Sequence, residues 1–94
     1  MSDEFDDDVQ PGATPVSPLG AVVGVIARAL VDKPSSVRVS EMPRRGMTVI
    51  QLNTAPGDLG KIIGRQGRTA AALRTIVALT AEKHGVRATL DIRD

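Results

Sequence analysis

The chain has 94 residues, no cysteine, one histidine and a formal net charge of +1. That length suits one small domain whose core is close to the lower limit for independent stability, which argues against a large catalytic cavity. Without thiols there are no disulfides or thiolate zinc sites, one histidine cannot build a multi-histidine metal centre, and no apolar run reaches the roughly 20 residues of a membrane span.

The small net charge hides an uneven distribution. Asp3, Glu4, Asp6, Asp7 and Asp8 place five negative charges and no positive one in the first fifteen residues, whereas all twelve Lys and Arg lie from Arg28 onward against six acids. The body of the chain therefore carries about +6 and can attract a polyanion. Residues 1–15 are acidic, then rich in Gly and Pro, and are expected to form a disordered tail ahead of a domain over 16–94. Met1 to Asp8 is acidic where a signal peptide would be basic, so a cytoplasmic protein is expected. Phe5 is the only aromatic residue, which argues against modules that stack bases on a sheet.

Ser17 followed by Pro18 reads as a hydroxyl N-cap with proline in the first turn. Leu19, Val22, Val23, Ile26, Ala27 and Leu30 then recur on one helical face. Ala21, Val25 and Val31 lie off that stripe and Arg28 is the only charge from Ser17 to Val31, so the helix is expected to be buried on more than one side, with a subunit partner as the explanation. Val37 to Met42 and Met47 to Asn53 read as a hairpin around Pro43-Arg44-Arg45-Gly46, with Ile50 and Leu52 facing the core. A short helix is expected from Pro56 to Ile63. A longer one after Gly67 carries Ala70, Leu73, Ile76, Val77 and Thr80 on one stripe and ends at a glycine C-cap, Gly85. Val86 to Ile92 alternates as a half-buried strand. The order αββααβ predicts an α+β sandwich, a three-stranded sheet with three helices on one face.

Glycines at 57, 60, 64 and 67 have three competing explanations. At spacings of three, four and three they would share one face of a continuous helix, but each costs about 1 kcal/mol relative to alanine there. A nucleotide phosphate loop fits poorly: Gly60 plus four residues leads to Gln66-Gly67 instead of Gly-Lys, and the segment does not follow a strand. The third is a GxxG turn, Gly64-Arg65-Gln66-Gly67, whose glycines let a nucleic-acid backbone approach while the next helix offers its amides and Lys61, Arg65 and Arg68 supply charge.

Leu59-Gly-Lys-Ile-Ile-Gly-Arg-Gln-Gly-Arg-Thr-Ala, followed by Ala72-Leu73-Arg74-Thr75, closely resembles the small bacterial KH-domain proteins of the KhpA family. The likeness runs from Leu19, through Leu30-Val31-Asp32-Lys33-Pro34, to Arg93. It implies a type II KH fold, sequence-tolerant binding of single-stranded RNA, an RNA-chaperone or post-transcriptional role, and dimerisation. It also implies a larger multidomain KH partner, KhpB, and a link to cell elongation and division. Ala71 stands where the family often has Lys, and the acidic tail lies outside the typical short member.

The expected RNA-binding residues are therefore Lys61, Gly64, Arg65, Gln66, Gly67 and Arg68 at the backbone, Ile62 or Ile63 with Ala70 and Val49 as walls for bases, and Arg74 further along the helix. Arg44 and Arg45 serve either a soluble turn or RNA. His84 reads as a helix C-terminal residue favoured by the dipole. Asp58 is the only acid near the loop and lacks a partner for catalysis, so no enzyme, cofactor, metal or small-molecule substrate is expected. The rival reading is a protein-interaction adaptor that works through the apolar first helix.

Overall fold

The computed structural model describes residues 17–94, so the tail expectation lies outside the described residues. Helix α1 spans Pro18–Leu30, and the Ser17 hydroxyl accepts from the Leu19 N–H at 3.3 Å as the N-cap. Both the backbone N–H and the hydroxyl of Ser17 donate to one oxygen of Glu41, at 2.7 and 2.8 Å, which ties the helix start to the first strand. Leu19, Val23 and Ala27 form the buried stripe. The helix ends where Val31 turns extended, and this change of direction tucks Val31 into the core while Leu30 is left 40% exposed. Val25 is 68% exposed, so within one chain the helix is covered on one side only.

Strands β1 (Arg38–Arg44) and β2 (Met47–Asn53) pair antiparallel around Arg45 and Gly46, and Gly46 takes φ +72° to close the turn. β1 runs two residues further than the composition suggests, through Pro43. It is an edge strand, so the missing proline N–H costs no ladder hydrogen bond. The segment read as one short helix divides into a 3₁₀ turn, Pro56–Asp58, and helix α2, Leu59–Ile63. Helix α3 spans Arg68–Lys83. Its end is a Schellman cap: Gly85, at φ +69°, donates to the Glu82 carbonyl at 3.1 Å and Val86 donates to that of Ala81 at 3.0 Å. Committing Val86 to the cap delays β3 to Ala88–Arg93 and leaves Val86 exposed, against its expected place in the strand.

β3 pairs parallel with β2, giving the order β1-β2-β3. A parallel pair needs a crossover, and α2 with α3 provides it. Ile50 and Leu52 on β2 and Leu90 on β3 meet Val23 and Ala27 of α1, Ile62 of α2, and Leu73 and Val77 of α3 in one core. Because side chains alternate along each strand, Met42, Met47 and Val49 lie on the opposite, helix-free face.

Candidate nucleic-acid interface

Helix α2 stops at Gly64, whose N–H closes the last turn on the Gly60 carbonyl at 2.9 Å. At φ +76° and ψ 174° Gly64 occupies backbone space that is essentially restricted to glycine. A Cβ there would also overlap the Thr69 side chain and come within 3.0 Å of the Thr69 nitrogen. Residues 65–67 form a single 3₁₀ turn, closed by Gly67 donating to the Gly64 carbonyl at 3.1 Å. Gln66, at φ +56° and ψ 24°, is the only non-glycine residue at positive φ among the described residues, a conformation that costs about 1–2 kcal/mol. Gly67 follows at φ +73° and opens α3 without a side-chain cap. A Cβ on Gly67 would meet nothing within 4 Å, so that side of the turn is open for another chain to approach.

Two of the four glycines thus have a backbone reason and two do not. Gly57 and Gly60 lie at ordinary φ with open space around an added Cβ. The continuous-helix explanation fails because the backbone breaks at Gly64.

Arg65, Gln66 and Arg68 are all exposed around this turn, and an Arg68 guanidinium nitrogen donates to Gln66 Oε1 at 2.9 Å. The Arg68 N–H donates to the Arg65 carbonyl, and no side chain caps the start of α3, so the helix dipole places partial positive charge beside the two arginines. Lys61 is differently engaged: its Nζ lies 3.2 Å from Asp32 Oδ2 and 3.9 Å from Asp58 Oδ1. The pair with Asp32 is exposed on both sides and weak, worth about 0–1 kcal/mol. It still draws Lys61 toward the loop after α1, so Arg65 and Arg68 are the charges left free at the turn.

The expected base-contacting walls need correction. Ile62 is fully buried in the core and Ala70 is 3% exposed, because the inward face of α2 and the first turn of α3 must pack on each other. Ile63 is half-buried and open to a ligand. Val49 lies across the sheet from the helices, by the strand alternation, and cannot share a wall with Ile63. Arg74 is exposed about 9 Å along α3 from Arg68. Arg44 and Arg45 sit at the other end of the sheet, beside the C-terminus of α3.

Asp58 is the residue whose part was missed. Its carboxylate is buried and accepts the backbone N–H groups of Asp32 at 3.3 Å and Lys33 at 3.0 Å, so it fastens the α1–β1 loop to the start of α2. A lone Asp ahead of an apolar helix suggests a local N-cap, yet its own helix receives no such bond. His84 Nδ1 lies 2.9 Å from the Thr80 carbonyl at the end of α3, consistent with a helix-terminal role. Among the described residues no group of three or more His, Cys, Asp or Glu could hold a metal, and no helix is long and apolar enough to cross a membrane.

Two helices joined by a GxxG turn and laid on a mixed three-stranded sheet in the order αββααβ define a KH domain. A family model for the KhpA/KhpB KH domain matches residues 21–92, and the chain belongs to that family. RNA-binding protein KhpA of Treponema pallidum is 44% identical over 73 residues, covering 78% of this chain and 91% of that protein. Its counterpart in Halalkalibacterium halodurans is 52% identical over 69 residues, covering 73% and 91%. That of Aquifex aeolicus is 44% identical over 77 residues, covering 82% and 98%. Among solved structures, Aquifex aeolicus Era bound to GDP and AlF4− superposes with a TM-score of 0.54 at 19% identity, over 97% of this chain and 39% of that one. A second Era structure, in complex with a segment of 16S ribosomal RNA, matches to the same degree. The likeness to Era is one of fold, and the chain spans 39% of the Era chain's length.

Proposed function

We propose that this protein binds single-stranded RNA at the Gly64–Gly67 turn with little sequence preference. The observation that carries the reading is the turn itself. Gly67 leaves its outer side open, the α3 N-terminus has no side-chain cap, and Arg65 and Arg68 stand exposed on either side. This combination suits a phosphate backbone, and a KH groove holds about four nucleotides. Relatives across most of their length are named RNA-binding proteins. With about two phosphates neutralised by Arg65 and Arg68, the logarithm of affinity should fall with log salt at a slope of about −1.4, and affinity should be modest.

The family resemblance extends the proposal to a cytoplasmic, non-enzymatic RNA chaperone or post-transcriptional regulator. On that reading it acts as a homodimer, with a KhpB-like multidomain KH partner, or both, in cell elongation and division. A second copy or partner would raise avidity. The exposed Val25 and Leu30 favour one further reading, an adaptor that works through α1 with RNA secondary.

The test is RNA binding by the double variant Arg65→Asp, Gln66→Asp beside the unmodified protein at two salt concentrations, with circular dichroism to confirm folding. Loss of binding to unstructured RNA supports the turn as the site. Unchanged binding overturns it and directs attention to α1.

A further inference from the structure

The Pro-Arg-Arg-Gly hairpin tip has no part in the site above, yet the fold sets it beside a second basic segment. Arg44 pairs with Met47 across the hairpin, and Thr48 pairs with Ala88, which brings Met47 level with Arg87. The Thr48 N–H donates to the Arg87 carbonyl at 2.9 Å and holds that alignment. Arg44 and Arg87 therefore flank Met47 at one end of the sheet, separated by the central strand, with backbones about 10 Å apart. Together with Gly46, Gly85 and Val86 they line an open cleft of about 490 Å³ in which no carboxylate takes part.

Arg44, Arg45 and Arg87 are exposed, and none joins an ion pair among the described residues. Three carbonyls at the end of α3, which would repel an anion, are already engaged: that of Thr80 by the His84 N–H, that of Ala81 by the His84 and Val86 N–H groups, and that of Glu82 by the Gly85 N–H. Solubility of the turn accounts for Arg45 at its tip. It does not account for a third arginine delivered from a different segment to the same cleft.

We infer that this cleft is a second phosphate-binding site, which takes the backbone of a single-stranded RNA long enough to extend past the GxxG turn. The two sites lie at opposite ends of α3, about 24 Å apart for its 16 residues. An oligonucleotide of about four residues, filling one KH groove, cannot use both. A longer strand can, and two added phosphate contacts steepen its salt slope by about 1.4. The inference rests on the RNA reading of the turn.

The experiment compares the full chain with its Arg44→Gln, Arg87→Gln variant, using fluorescence anisotropy across a salt series. One oligouridine has about four nucleotides and another is about three times as long. The expected result is an unchanged affinity for the short probe and a salt slope for the long probe shallower by about 1.4. A folded variant whose long-probe slope matches that of the unmodified protein overturns the inference. Failure of the unmodified protein to bind the short probe is a separate outcome that removes the GxxG reading itself, and the inference with it. The run Asp6-Asp7-Asp8 is a polyanion of the same chain and is the competitor to test. If replacing Asp6, Asp7 and Asp8 with Asn leaves long-probe affinity unchanged and the arginine variant has the shallower slope, the cleft is free for RNA and the inference stands. If that replacement raises affinity only where Arg44 and Arg87 are intact, and the arginine variant keeps its slope, the cleft serves the acidic segment instead and the inference falls.

Discussion

Asp58, buried just ahead of α2, accepts the backbone N–H of Lys33 at 3.0 Å across 25 residues of sequence. With the bond from Asp32 it satisfies two donors of the α1–β1 loop, and so fixes the platform from which α2 and the glycine turn project. On the proposed reading, a site that presents two arginines to a flexible polyanion depends on a backbone that does not itself move.

Replacing Asp58 with Ala leaves those two donors without their partner and should destabilise the fold by about 1–3 kcal/mol. Asp58→Asn keeps one acceptor and should cost less. Urea denaturation followed by circular dichroism measures both. Equal stability of the Ala variant and the unmodified protein would show that water replaces the carboxylate at no cost.

The glycines should separate by role. Gly64→Ala combines forbidden φ/ψ with overlap against Thr69 and is the most damaging, beyond about 3 kcal/mol. Gly67→Ala meets no neighbour and costs only the left-handed conformation, about 1–2 kcal/mol. Gly60→Ala, in a helix at ordinary φ with open space beyond, should stabilise by up to about 1 kcal/mol. Thermal melts of the three variants rank them, and any order other than Gly64, Gly67, Gly60 contradicts the assigned backbone roles.

Charge removal should distinguish Arg65 from Lys61. Arg65→Gln should make the salt slope for RNA shallower by about 0.7, the share of one single-strand phosphate. Lys61→Gln should change it less, because its ammonium lies between Asp32 and Asp58. Anisotropy titrations at several salt concentrations read both slopes. A larger effect at Lys61 would mean that RNA displaces the carboxylates.

At the far end of α3, Gly85→Ala forces a Cβ into the left-handed cap and should cost about 1–2 kcal/mol. The same variant should leave binding of a four-nucleotide RNA intact, since the glycine turn lies at the opposite end of the helix. A concurrent loss of short-RNA binding in a folded variant would show that the two ends of α3 are coupled.

Features whose cause lies within a few residues were legible in the sequence. Ser17 starts α1, with Pro18 in the first turn, through a bond from two residues ahead, the Leu19, Val23 and Ala27 stripe follows from helical period, and Gly85 ends α3 in a cap whose bonds from Gly85 and Val86 reach back to Glu82 and Ala81. The break at Gly64 was readable for the same reason, because glycine's lack of a Cβ acts on its own backbone. Partners distant in sequence were decided only by the tertiary structure. Neighbouring isoleucines of α2 have different fates, Ile62 in the core and Ile63 half-open, because a five-residue helix has too little periodicity to orient itself and takes its direction from α1 and α3. Asp58 finds Lys33, Lys61 is drawn to Asp32, and Arg44 comes level with Arg87 only once the crossover returns β3 parallel to β2. Local backbone chemistry therefore marks where the turn is, whereas packing of the whole chain selects which charges and which apolar side chains remain free around it.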